Sequence, residues 1–164
     1  GQELPQVKNG VAHINLAWTP DLIADHAGVT GVGLPETVST SGKAVPDVVV
    51  GACWPAVFAA LGAATTESGV HVIEGMLDLV HLDHAVDLVG ELPTETSILV
   101  VRAEAGDVID TDMGRVVEVR VEVGAMLGEG LEAPAVATLT ERFAIRGRTG
   151  KGELADPADR QCFA

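Results

Sequence analysis

Apolar and polar residues alternate most regularly in the segment Arg115–Val123. From Val117 onward every second residue is valine, and charged residues occupy the positions between the valines. Because successive side chains of a strand point to opposite faces, this pattern predicts a half-buried antiparallel strand. Weaker alternation predicts one long strand or two short ones over 69–82, with Gly75 as a candidate bulge, and further strands over 96–104 and 135–146.

The most apolar segment of the chain runs from Val48 to Ala64. Alanine, valine and leucine lie on all sides of it, which predicts a helix enclosed by protein. Pro55 is expected to kink this helix or to split it after Trp54. Three successive valines at 48–50 leave a pair of buried strands as a competing interpretation of its start.

The residues before the apolar segment predict an arm, a short helix and a loop. Residues 1–17 are first polar and then apolar, as in an extended arm. Thr19, Pro20 and Gly28 supply a helix cap, a first helical residue and a C-terminal stop. Residues 29–46 are rich in Gly, Pro, Ser and Thr, which predicts a loop.

The order of these elements predicts an α+β fold, because one long apolar helix is followed by a run of strands without a further helix. A curved antiparallel sheet wrapped around a central apolar helix would bury that helix on most sides. This arrangement is the hotdog fold. We therefore predict an N-terminal arm, short helix and loop over 1–45, a hotdog domain over 46–148, and a C-terminal linker or tail over 149–164.

The charge of the chain limits its partners. The 164 residues include 24 Asp and Glu against 10 Lys and Arg, a net charge of −14. Such a charge repels nucleic-acid phosphates and anionic membrane surfaces, so neither is an expected partner. Cys53 and Cys162 are too few for a disulfide framework, and no signal peptide is visible, so a cytoplasmic location is expected.

The densest group of polar side chains consists of His81, Asp83 and His84. Two imidazoles and a carboxylate so close together suit a general base or a pair of metal ligands. The structural alternative is a strand end turning into a loop, with one histidine hydrogen-bonded to the backbone and the other exposed. Zinc requires three or four ligands at defined spacings, and none follows nearby, so no metal site is predicted.

Other candidate residues have simpler explanations. Asp21 and His26 are five residues apart and share no helix face, while each suits its end of the helix dipole. Cys53 lies in the apolar helix and is expected to be a small core residue.

A basic group stands out in this acidic chain near the end of the last predicted strand. It suits an acidic partner, a phosphopantetheine phosphate or simply a solvated strand end. Its members are Arg142, Arg146, Arg148 and Lys151.

Taken in order, several segments resemble one family. Between Glu74 and Arg148 these are GMLDLVHLDH, AEAGDVIDTDMGRVVEVRVEV and ATLTERFAIRGR, with VVVGACWPAVFAALG upstream. They are similar to a noncatalytic hotdog segment in the dehydratase region of microbial type I multifunctional fatty acid synthases.

The resemblance implies a role in fatty acid biosynthesis, in a region that resembles the MaoC-type hydratases. Catalysis there belongs to a hotdog with an Asp-x-Asn-Pro-(Ile/Leu)-His signature. This chain has no Asn-Pro, and Asp21 and His26 are separated by Leu-Ile-Ala-Asp, so no catalytic residue is carried over. The resemblance therefore implies a segment of a (3R)-hydroxyacyl-carrier-protein dehydratase that shapes the acyl tunnel.

The same resemblance implies the partners of the segment. These are adjacent hotdog domains of the same synthase or a second copy in a self-paired dimer, and an acyl carrier protein that presents acyl-phosphopantetheine. No cofactor is expected within the segment itself. The alternative is an independent hotdog hydratase or thioesterase that uses His81, Asp83 and His84, in which case replacing either histidine abolishes turnover.

Overall fold

The computed structural model describes residues 3–19, 21, 46–65, 71–73, 79–93, 95–112, 114–126 and 132–146. Its long elements are one helix and six strands. In chain order they are β1 (Gln6–Lys8), β2 (Val11–Trp18), α1 (Pro46–Ala63), β3 (Leu79–Leu88), β4 (Ser97–Thr111), β5 (Gly114–Met126) and β6 (Ala135–Ile145). Within these ranges, no helix has the length and hydropathy needed to cross a bilayer.

The strands form one antiparallel sheet in the order β1–β2–β4–β5–β6–β3. Helix α1 contacts β2, β4 and β5 on one face of this sheet. The core lies between helix and sheet, and Trp18, Leu61, Leu99 and Phe143 are among its largest buried side chains. The predicted α+β class, with an antiparallel sheet against an apolar helix, is confirmed.

Strand β5 shows how the alternating pattern builds this core. Val117, Val119, Val121 and Val123 are all buried, as the pattern predicts. Each fully buried valine contributes about 1.5–3 kcal/mol of transfer free energy. Because a shift of one residue would turn all of these side chains to solvent, the valines also fix the register of the strand.

Helix α1 continues through Pro55 as one helix. The expected split after Trp54 is therefore wrong, and so is the interpretation of 48–50 as strands. Proline removes the hydrogen bond to the carbonyl four residues earlier, which belongs to Gly51. Gly51, Pro55 and Phe58 form an exposed stripe of the helix, so water can satisfy that carbonyl. The helix is enclosed on most sides but not along this stripe.

The predicted N-terminal arm is paired into the sheet. Strands β1 and β2 form a hairpin whose turn residues, Asn9 and Gly10, both have positive φ. An Asn-Gly pair adopts this turn readily because both residues tolerate the left-handed conformation. β2 buries every second side chain and pairs with β4 along its whole length. These residues therefore belong to the same sheet as the predicted hotdog domain rather than to a separate arm.

The remaining predicted segments match in part. The strand predicted over 69–82 overlaps β3 only from Leu79 onward, and β3 continues to Leu88; the prediction is wrong at residues 72–73, which form a turn. The strand predicted over 96–104 is longer as β4, and the strand predicted over 135–146 matches β6 closely. The predicted loop over 29–46 ends one residue late, since Pro46 begins α1. The rest of that loop, the predicted first helix after Asp21, Gly75 and the tail over 149–164 lie outside the described residues.

Candidate active site

A β-bulge in β3 decides which side chains of the histidine cluster face the helix. His81 pairs with Phe143 on β6, Asp83 with Arg142, and His84 with Glu141, so Leu82 is the additional residue of the bulge. In a regular strand His81 and His84 would lie on opposite faces, because they are three residues apart. Because Leu82 adds one residue to β3, the ring of His84 is turned to the same face as the ring of His81. Both imidazoles therefore lie on the face of Glu141.

Glu141 is a buried carboxylate on the inner face of the sheet. The other residues of β6 on this face are apolar and include Leu139 and Phe143. Its Oε2 lies 2.8 Å from Nε2 of His81, and the side chains of Glu141 and His81 are 1% and 34% exposed. The buried carboxylate thus contacts a ring that is partly exposed to solvent. A carboxylate bound in this way can orient and polarise the imidazole.

Aromatic side chains surround this pair on the helix side. Three of the five Trp and Phe residues of the chain gather here. Trp54 lies with its ring centroid 5.2 Å from that of His81, and 5.3 Å from that of Phe58. Phe143 also lies 5.2 Å from His81. The imidazole thus stands at the seam between α1 and the sheet, with apolar walls and a partly open side.

Asp83 lies on the outer face of the sheet and takes no part in this group. Its carboxylate accepts hydrogen bonds from Nε and a terminal nitrogen of Arg142, and this contact lowers the pKa of Asp83 below its ordinary value. Both side chains are about half exposed, so water screens the pair and its effect on stability is small. Asp83 therefore does not lie with His81 and His84, contrary to the hypothesis that the three residues act together.

His81 and His84 do not match the alternative in which a strand end turns into a loop. Both lie within β3 rather than in a loop, and His81 binds a side chain instead of the backbone. The two rings are nearly parallel, with centroids 5.9 Å apart. One ligand atom from each of His81, His84 and Glu141 lies within 4.8 Å of the others, so these three residues can hold a metal ion.

Cys53 is a buried residue of the helix, as predicted, and is no nucleophile. Burial, with a further contribution from the nearby Glu141 carboxylate, raises the pKa of its thiol to about 12. At neutral pH the sulfur therefore keeps its proton, and the thiolate needed for attack is absent.

Two of the other residues singled out in the sequence lie in the described part of the chain, away from this site. Asp21 is exposed, and Arg146 is exposed at the end of β6. His26, Cys162, Arg148 and Lys151 lie outside the described residues.

Solved structures share this architecture. HtdX of Mycobacterium tuberculosis is 15% identical over 83% of this chain, with a TM-score of 0.59, and the match covers 51% of that protein. A MaoC-like dehydratase from Phytophthora capsici is 17% identical over 89% of this chain, with a TM-score of 0.59 and 50% of that protein covered. A thioesterase family protein from Silicibacter pomeroyi is 15% identical over 88% of this chain, with a TM-score of 0.51 and 85% of that protein covered.

These similarities identify the fold as a hotdog and confirm the fold prediction. The chain spans about half the length of HtdX and of the MaoC-like dehydratase. No protein-family model matches the sequence, and no curated protein matches it.

Proposed function

We propose that this chain acts on acyl thioesters and that His81 transfers a proton in the reaction, oriented by Glu141. The observation that carries the proposal is the hydrogen bond of 2.8 Å between His81 Nε2 and the buried Glu141 Oε2. The names of two neighbours of the same fold, a MaoC-like dehydratase and a thioesterase family protein, support this substrate class.

We assign the roles of the two ring nitrogens from the chemistry of the partner that Nε2 meets. A carboxylate only accepts hydrogen bonds, so Nε2 carries the hydrogen and Nδ1 presents its lone pair. The side chain of His81 is 34% exposed, which leaves the ring within reach of a substrate. Trp54 and Phe143 flank the ring and lower the local polarity around the reacting atoms.

A single imidazole with these properties suffices for a reversible dehydration. Nδ1 takes the proton from C2 of a 3-hydroxyacyl thioester, and the electron pair of the broken C–H bond forms the C2–C3 double bond. The hydroxyl leaves C3 and takes the proton back from the imidazolium, so the product is water. In the reverse direction the same steps hydrate a 2-enoyl thioester.

The proposal is tested by turnover of 2-enoyl pantetheine thioesters with the whole chain, in the presence of a metal chelator. Loss of the conjugated enoyl absorbance measures hydration. His81→Gln is expected to lower turnover by about 100-fold or more, and Glu141→Gln is also expected to lower it. Asp83→Asn is the matched control, because this residue lies two positions after His81 in the chain but on the outer face. Wild-type turnover in the His81→Gln variant contradicts the proposal.

A second candidate function follows from the resemblance in the sequence and from exposed apolar side chains on the edge strand β3. In this alternative the chain is a noncatalytic hotdog that shapes the acyl tunnel in the dehydratase region of a type I fatty acid synthase in the cytoplasm. Its partners are then an adjacent hotdog or a second copy, and an acyl carrier protein. Leu82 and Leu88 are exposed on the edge strand β3, which suits such pairing.

The same assay separates the two candidates. The noncatalytic alternative expects no turnover by the chain alone, together with binding of an acyl pantetheine that can be measured by equilibrium dialysis. Turnover that is lost in His81→Gln excludes the alternative.

A further inference from the structure

The two histidines and Glu141 are the right donors for a transition-metal ion. Imidazole nitrogen and carboxylate oxygen are common zinc ligands, whereas calcium and magnesium prefer sites made of oxygen alone. The β3–β6 register places His84 directly opposite Glu141 and His81 two pairs further along the ladder, opposite Phe143. The bulge turns both rings to the same face, and the three ligand atoms lie within 4.8 Å of one another.

A second, independent observation concerns the other oxygen of the carboxylate. Oε1 of Glu141 is buried, and among the described residues nothing donates a hydrogen bond to it. The whole side chain is 1% exposed. Burying a carboxylate with an unsatisfied oxygen is costly unless a cation or a donor compensates it. A metal ion beside Glu141 supplies this compensation.

The distances require only a small adjustment. In a tetrahedral zinc site with bonds of about 2.0–2.1 Å, neighbouring ligand atoms are about 3.3 Å apart. His81 Nε2 and Glu141 Oε2 are already 2.8 Å apart, so they need to separate slightly. His84 is exposed, so its ring can move inward without displacing core side chains.

We propose that His81, His84 and Glu141 bind one Zn²⁺ ion, with water as the fourth ligand. Asp83 is no ligand, because it faces the opposite side of the sheet with Arg142. The ion replaces the hydrogen bond between His81 and Glu141. The zinc-bound protein therefore lacks the proton-transfer pair of the proposed function, and zinc is expected to inhibit turnover. Binding of the metal does not depend on that function.

The test uses the whole chain without a polyhistidine tag, stripped with a chelator and then dialysed. Isothermal titration with Zn²⁺ is expected to show one equivalent bound, and Co²⁺ to give the visible absorption of a tetrahedral site. His84→Ala and Glu141→Gln are each expected to weaken binding more than about 100-fold, beyond the loss typical of an outer-shell partner. His13→Ala, an exposed histidine on β2, is the matched control and is expected to bind like the wild type.

A thermal melt adds a readout that does not rely on heat of binding. Saturating Zn²⁺ is expected to raise the Tm of the wild type and of His13→Ala but not of His84→Ala, because a ligand stabilises the fold it binds. Near-wild-type affinity in both His84→Ala and Glu141→Gln overturns the proposal, and so does the absence of binding by the wild type. Turnover in chelator is measured separately, so zinc binding and the proposed function can fail independently.

Discussion

Glu141 is expected to make the fold less stable than an apolar residue at the same position would. Its side chain is 1% exposed, and among the described residues Oε1 receives no hydrogen bond. An unsatisfied buried polar group costs about 1–3 kcal/mol. In the arrangement proposed above His81 is neutral and its side chain is 34% exposed, so removing its carboxylate partner leaves no buried unpaired charge. We therefore expect Glu141→Met, which keeps a similar volume, to raise the free energy of unfolding by about 1–2 kcal/mol, within the cost of the unsatisfied oxygen.

Urea unfolding followed by circular dichroism measures this difference, with chelator present so that no bound metal stabilises the wild type. A gain of this size corresponds to a rise in Tm of about 2–8 °C for a domain of this length. Leu139→Ala is the matched control, because Leu139 lies two residues earlier on the same face and is equally buried. It is expected to lower the free energy of unfolding by about 2–5 kcal/mol.

The two variants also separate a functional from a structural role for Glu141. A residue kept for chemistry is expected to be replaceable with a gain in stability and a loss of turnover. If Glu141→Met destabilises the protein as much as Leu139→Ala does, Glu141 is needed for folding. The argument that its burial is a cost borne for function is then refuted.

Three further predictions concern the helix and the bulge. In a Cys162→Ser variant, Cys53 is expected to resist thiol reagents between pH 7 and 9 and to react only after unfolding in urea, because its pKa of about 12 keeps the proton on sulfur until the pH is far higher; rapid labelling of the folded protein contradicts this. Deletion of Leu82 is expected to leave turnover nearly unchanged, because Leu82 has no partner on β6 and the two histidines of β3, then two residues apart, still share a face. Insertion of an alanine after Asp83 moves His84 to the opposite face and is expected to abolish zinc binding; retained binding contradicts the assigned parity.

Much of the fold is predictable because its pattern is explicit in the sequence. The valines of β5 alternate without interruption, and the apolar run of α1 is long, so both elements are identified correctly. The hairpin at the start is not predicted although Asn9-Gly10 is a strong turn signal, because its flanking residues also fit an extended arm. The local cost of Pro55 predicts a break in the helix, whereas the tolerance of this proline depends on which side of the helix faces solvent.

The candidate site is only partly predictable, for a different reason. His81 and His84 stand out as a local cluster, but Glu141 is far away in the chain and belongs to another strand. The sequence does contain a signal for Glu141, because it occupies a position of β6 at which the alternation predicts an apolar residue, between Leu139 and Phe143. The bulge at Leu82 leaves no such signal, because it is defined by the pairing of β3 with β6. Whether Asp83 or His84 shares a face with His81 is therefore decided only by the pairing register of β3 with β6.

The position of β3 has a consequence for the lifetime of the site. β3 carries both histidines and pairs only with β6 in the described sheet, whereas Glu141 sits on a strand held from both sides. Local separation of β3 from β6 breaks only the hydrogen bonds between these two strands and leaves the other strands in place. It therefore requires less free energy than global unfolding. The contact between the two histidines and Glu141 can thus be lost and re-formed many times while the domain stays folded. We expect amide protons of β3 to exchange faster than those of β5.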